Sequence, residues 1–135
     1  MLNIQKIDSS SFLIGRVILG LYFFVFGFGK VFTYQDVESL MLLKQVPLVV
    51  LTLPLTIAIQ TVFGLLIIFG KYLRLGGLVL FILTLLINYY IHNFWDLAGD
   101  PSQAHEMQNF IKNTGIIAGL LILSAAHPGK YSIKN

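Results

Sequence analysis

The chain has 135 residues, of which 56% are apolar and only 11% are Asp, Glu, Lys or Arg; there are nine basic residues, six acidic ones and no cysteine. A soluble domain carries about 25% charged residues, and one small core cannot hide this much apolar surface from water. An ordinary soluble enzyme, a disordered chain and a nucleic-acid module are therefore excluded, as are disulfides, Cys-based metal sites, iron–sulfur clusters and thiol relays. What is left is a membrane protein of one domain, residues 1–135. The net charge of +3 comes without any run of like charges, so basicity builds no nucleic-acid patch.

Crossing a hydrocarbon core of roughly 30 Å takes about 20 apolar residues in a helix. Four segments meet or approach that length. The first is Phe12–Phe32, preceded by Ser9, Ser10 and Ser11, which suit a helix N-terminus. Only Lys6, opposed by Asp8, precedes it and no small-residue cleavage site follows, so it reads as a retained span. Thr33–Gln45 then sets Val37, Leu40 and Met41 at helical spacing behind Asp36, as in a short helix lying on the membrane surface. The second span, Val46–Gly70, runs 25 residues without a charge, about 37 Å of helix. After a tight turn at Lys71–Arg74, the third span, Leu75–Trp95, closes on an aromatic pair suited to the water interface. Asp96–Asn109 reads as the longest and most polar loop. The fourth span, Phe110–Ala126, is 17 residues long and stops at His127-Pro128-Gly129. The expected fold is all-α: an integral membrane four-helix bundle with an interfacial helix after the first span.

Four crossings put both termini on one side. That side holds Lys6, Arg16, Lys71, Arg74, Lys130 and Lys134 against Asp8; the other holds Lys30, Lys44 and Lys112 against five acids. Lys and Arg thus divide six to three, and the richer side faces the cytoplasm. All six acids fall in tails or loops by this division, which argues against a self-contained proton-driven carrier.

Polar residues enter the spans in patterns. In the first, Arg16, Gly20, Gly27 and Lys30 fall within about 80° of one another around the helix, so glycines that admit a neighbouring helix lie between two cations. In the last, Lys112, Gly115 and Gly119 form a similar stripe with a GxxxG match, open to use either within the bundle or in a homodimer. The third span places Asn88, Tyr89, His92 and Trp95 on one helix face near its outer end. Gln60, with Thr56 and Gly64 on its face, needs a partner inside the bundle because lipid offers none. Together Lys30, Asn88, His92, Trp95, Lys112 and Asn113 outline a cationic nest at the outer mouth of the bundle. Tyr22, Phe23, Phe26, Phe63, Phe81 and Tyr89 are its aromatic walls, and Arg16 and Gln60 support it. Such a nest fits a quinone ring, whose carbonyls accept hydrogen bonds, and fits an anionic lipid head group almost as well. No metal site is expected from one histidine without Cys, Met or carboxylate neighbours. A haem would need His105 or His127, in a loop and at a helix end.

The motifs Arg16-x-x-x-Gly20, Gly27-Phe-Gly29-Lys30, Gln60 followed by Gly64 and Gly70, His92-Asn93-Phe94-Trp95, Phe110-Ile-Lys112-Asn113 and Pro128-Gly129-x-Tyr131-Ser132 occur in that order. From about Ser11 to Ile133 the chain resembles the DoxX family of small bacterial and archaeal membrane proteins. The resemblance implies a four-helix bundle in the cytoplasmic membrane, with Arg16, Lys30, His92, Lys112 and Asn113 as carried-over positions. It also implies an association with quinol oxidase or thiosulfate:quinone oxidoreductase systems, or with oxidative and quinone stress. Where this chain has Gln60, related sequences often carry Glu; a glutamine hydrogen-bonds but exchanges no proton. Two function classes follow. One is a quinone- or quinol-interacting subunit working with a partner oxidoreductase. The other is a non-catalytic scaffold or lipid-binding subunit, with a small-solute carrier ranking below both. Neither catalytic residues nor a covalent cofactor can be named from the sequence.

Overall fold

Helices form wherever the apolar runs are long, because a backbone in hydrocarbon must satisfy its own hydrogen bonds. In the computed structural model the described residues are 4–133, with side chains from Asp8 onward; the side chain of Lys6 and the whole of Lys134, both counted in the charge division, lie outside them. The helices are α1 (Ile4–Gly29), α2 (Tyr34–Leu43), α3 (Val49–Phe69), α4 (Leu73–Tyr90) and α5 (Gln103–Ala125), with one 3-10 turn at Phe94–Asp96. No strand occurs among the described residues. Three segments are long and apolar enough to cross a membrane: Asp8–Gly29, Val49–Phe69 and Leu73–Asp96.

α1 packs along α3, α3 on α4 and α4 on α5, and α2 docks on α3. The tightest of these contacts is α1 with α3. A methyl group built on Gly20 would stand 2.7 Å from the Gly64 carbonyl oxygen, and one on Gly64 would stand 2.7 Å from the Phe24 nitrogen. At Gly27 the same methyl would meet Gln60 Cβ at 2.6 Å. These three glycines therefore let two backbones touch, as small residues do where lipid supplies no hydrophobic drive. Around this seam Phe23, Ile67, Leu73, Leu80, Leu120 and Leu123 form the main core. A smaller cluster of Met41, Val49 and Leu53 holds α2 against the start of α3.

The ends of the bundle differ. At one end α3 stops at Gly70, whose φ of 76° closes the helix in the left-handed region. The C-terminal segment folds across this end. Arg16 is buried there, its Nη1 donating to the Pro128 carbonyl at 2.9 Å and its Nη2 to the Tyr131 carbonyl at 2.8 Å. The Ile133 amide donates to the Phe69 carbonyl at 3.0 Å. At the other end lie α2, the turn after α4 and the start of α5.

Two boundaries depart from expectation. The third apolar run is helical only to Tyr90, because Asn93 turns its side chain to other partners: it accepts from Lys44 Nζ at 2.9 Å and donates to Asp96 at 3.0 Å. The fourth helix begins at Gln103, seven residues before its apolar run. Asp100 Oδ1 accepts from the Ser102 hydroxyl at 2.6 Å and the Ser102 amide at 2.8 Å, which turns the chain into α5. These bonds hold the Asp100 carboxyl below the usual carboxylate range. The region expected as a long loop is half helix, since Gln103–Asn109 is polar yet contains no helix breaker.

The Gly64→Ala substitution overpacks the α1–α3 seam and should cost about 1–3 kcal/mol. Gly115→Ala, where nothing lies within 4 Å of the added methyl, should stay within about 0.5 kcal/mol of wild type; thermal unfolding in detergent checks both. Arg16→Lys keeps the charge but loses the two-pronged grip on the Pro128 and Tyr131 carbonyls. It should forfeit about 1.5–3 kcal/mol of local stability, opening the tail at least about tenfold more often. The measurement is the rate of tryptic cleavage after Lys130.

Candidate functional site

A cavity of about 910 Å³ lies among the helices at the end opposite Arg16. Its walls are mostly apolar and come from every helix: Phe23 and Phe26 of α1, Met41 of α2, Ile59 of α3, Ile87 of α4 and Ile116 of α5 are among them. Several lining residues are also exposed on the outside of the chain, notably Leu55 (58%) of α3 and Ile82 (56%) of α4. The cavity thus communicates with the apolar surface that spans a bilayer. Its volume lies within the range of small-molecule sites, roughly 300–1,000 Å³.

Polar groups reach the cavity from the end opposite Arg16. Lys30 follows directly on α1, and its side chain folds back along the helix. Its Nζ donates to the Phe26 carbonyl and to Gln60 Oε1, both at 2.8 Å. Two of three ammonium hydrogens are thereby used. No carboxylate lies within ion-pair distance of Lys30, since the one ion pair among the described residues is His92 with Glu106. Gln60 is buried, and the contact beneath it with Gly27 is what brings Lys30 within reach. His92, Asn109, Lys112 and Asn113 complete the polar lining with Thr56 and Thr84.

Of the nest outlined from sequence, Lys30, His92, Lys112 and Asn113 line this one cavity, and Gln60 joins them as the partner of Lys30. Asn88 does not line it. It is buried behind the wall, where its Nδ2 donates to the Phe110 carbonyl at 3.1 Å and its Oδ1 accepts from Asn113 at 2.8 Å. This pair fixes α4 to α5 and orients Asn113. Trp95 also lies elsewhere, at 44% exposure among Tyr89, Phe94 and Phe110. The reason is the end of α4 at Tyr90: beyond it residues no longer advance at helical spacing, so the face shared by Asn88, His92 and Trp95 in a continuous helix does not exist. Tyr22, Phe23 and Phe26 are walls of the cavity, whereas Phe63 and Phe81 pack on the core and Tyr89 faces an outer cleft. Arg16 supports the far end alone.

Two further corrections concern packing and charge. Gly115 and Gly119 do not pack against another helix of the chain, as nothing lies within 4 Å of a methyl built on either. α5 meets α4 through a face that includes Asn113 and Leu120, about 140–160° around the helix from Gly115, leaving the glycine stripe outward. Glu106, assigned by hydropathy to a loop, lies in the first turn of α5 and meets His92 Nδ1 at 2.6 Å through Oε2. Sequence reasoning missed this carboxylate because the polar start of α5 hides its helical character. A Glu three residues before Asn109 and six before Lys112, on one helix, was the available signal.

The DoxX family model matches residues 11–93. Two relatives come from Escherichia coli. Inner membrane protein YphA is 28% identical over 121 residues, covering 90% of this chain and 86% of its own length. Inner membrane protein YqjF is 30% identical over 129 residues, covering 96% and 93%. No solved structure matches the chain. The matched segment holds nearly all of the three long apolar segments and more than half of the chain, and YqjF aligns with nearly all of the chain: the chain is a membrane protein of the DoxX family.

Proposed function

We propose that the cavity binds a lipid-soluble ring bearing carbonyl or hydroxyl oxygens, a quinone or quinol, and that the chain serves as a quinone-interacting subunit or accessory of a membrane oxidoreductase system. Residence in the inner membrane follows the names of YphA and YqjF. The reading takes α5 as a fourth crossing, 23 residues or about 34 Å long, with both termini cytoplasmic by the distribution of Lys and Arg.

One observation carries this reading: Lys30 and Lys112, without carboxylate partners among the described residues, share a mostly apolar cavity with His92 and Asn113. An ionisable side chain at membrane depth is costly and marks a functional site by default. A ligand oxygen would take the third Lys30 hydrogen and donors from Lys112 and Asn113. Its ring would fill the space between Phe26 and Ile116, and an isoprenoid tail would leave past Leu55 and Ile82 into lipid. The chain's own residues bind and orient the ring; electrons would come from a partner oxidoreductase.

Purified protein should bind a short-chain ubiquinone and the hydroxylated naphthoquinone lawsone. Lys112→Ala and His92→Ala should each weaken binding by about tenfold or more, the worth of one hydrogen bond to a charged group. Titration calorimetry in detergent measures it. Absence of binding, or unchanged affinity in both variants, overturns the reading.

The outward glycine stripe of α5 favours a second reading, a scaffold that holds a second copy or a partner helix. Gly115 is exposed with Ile111 and Ala118 beside it, the surface that close helix pairs use in membranes. Under it, Gly119→Leu should convert an oligomer to monomer in native mass spectrometry while cavity substitutions leave the mass unchanged. A monomeric wild-type protein excludes the second-copy form.

A further inference from the structure

Beside the apolar cavity lies a second space, an outer cleft of about 660 Å³ lined by Lys44, Asn93, Trp95, Asp96, Asp100 and Glu106 among others. It is polar where the cavity is apolar. Tyr90 belongs to the walls of both, so the two spaces are neighbours. Between them stands the His92–Glu106 pair. His92 lines the cavity, Glu106 lines the cleft, and Nδ1 of one meets Oε2 of the other at 2.6 Å. Nε2 of His92 has no hydrogen-bond partner among the described residues, yet it is not among their buried atoms left unsatisfied, so it opens onto free space. An imidazole with one nitrogen held by a carboxylate and the other free is the arrangement by which histidine passes protons.

We propose that His92 and Glu106 form a proton relay between the ligand cavity and the water of the outer cleft. This rests on reading the cavity as the binding site for an oxygen-bearing ring. A ligand hydroxyl gives its proton to His92 Nε2 while Nδ1 passes its own to the Glu106 carboxylate; the carboxyl then releases it to water in the cleft. One ligand O–H bond breaks, one proton reaches solvent, and no electrons change hands. The imidazole stays neutral with its tautomer exchanged, and the ligand oxyanion is held by Lys30 and Lys112. The reverse sequence returns a proton to the ligand and restores the tautomer. The other ionisable groups lining the two spaces are Tyr22, Tyr90, Lys30 and Lys112 in the cavity and Lys44, Tyr89, Tyr90, Asp96 and Asp100 in the cleft. None of them joins the two spaces by a hydrogen bond among the described residues. Glu106 is a positioning and proton-carrying residue that touches no ligand.

Lawsone tests the relay, because its ionised and neutral forms differ in colour. The full-length protein in lipid nanodiscs is loaded with lawsone and subjected to a rapid pH jump, and the colour change of the bound probe is followed. Glu106→Gln keeps a hydrogen bond to His92 but exchanges no proton. It should still bind lawsone, and its relaxation should be slower by roughly tenfold or more. Glu106→Asp should recover part of the rate. Wild-type protein in deuterated buffer gives a reading independent of how any variant folds, and its relaxation should slow. Wild-type relaxation in Glu106→Gln, or no isotope effect, overturns the relay while leaving the binding site standing. No binding of lawsone by wild type overturns the cavity reading and the relay with it.

Discussion

The approach of α1 to α3 decides where the other parts of the molecule go. Two helices carrying ordinary side chains lie 8–10 Å apart. With Gly20, Gly64 and Gly27 at the crossing, the backbones come into direct contact. That contact has two products at its two ends. Toward the cavity end it sets Gln60 beneath Gly27, so that Lys30 can turn back into the helix row and find an oxygen at 2.8 Å. Toward the other end it sets Arg16 beside Gly70, where only the missing side chain leaves room for a guanidinium to reach the C-terminal segment.

Much of this was legible in the sequence, and the reasons differ by residue. Lys30, His92, Lys112 and Asn113 were grouped because charged and polar residues are rare enough in apolar runs to be conspicuous. Gly20, Gly27 and Gly64 were legible because small residues at helical spacing have one main use between helices. The glycine stripe of α5 looks the same in sequence and faces outward. Spacing tells which residues share a face and says nothing of what that face meets. Glu106 and Trp95 failed for a shared reason. Both depend on where a helix ends, and hydropathy marks where lipid begins, which here differs from the helix boundary by five residues at Trp95 and seven at Phe110.

The polar groups fall into two kinds by how fully they are paired. Arg16, Asn88 and Gln60 are buried and held by protein oxygens or donors, so their bonds serve architecture: they tie the C-terminal segment, α5 and Lys30 in place. Lys112 lines the cavity and is exposed, and Lys30 retains one unused hydrogen. Arg16 Nε and Thr61 Oγ1 are buried without a partner among the described residues, away from the cavity, whereas the capacity of Lys30 and Lys112 lies on it. A bundle needing only stability would gain more from apolar side chains at these positions, since an unpaired cation in low dielectric is costly.

The difference between the two ends gives the molecule a direction. The end closed by Arg16 is stitched by three backbone acceptors, at Pro128, Tyr131 and Phe69. Tyr72 at the Arg16 end is left-handed too, with φ of 52°, while the opposite end is held by side chains that are short of partners or shared between spaces, and its connections contain Gln45 and Leu48 in the same region, with φ of 56° and 51°. Neither residue is glycine, so each pays about a kilocalorie per mole or more of backbone strain. Strain persists where surrounding structure holds it, and here the docking of Met41 on Val49 and Leu53 does so. α2 is thus the least firmly seated element, and it forms the wall of the cavity through Val37, Leu40 and Met41. The end stitched by Arg16 sets the geometry of the seam, and the end walled by α2 is where a ring could be admitted by a small shift of one short helix.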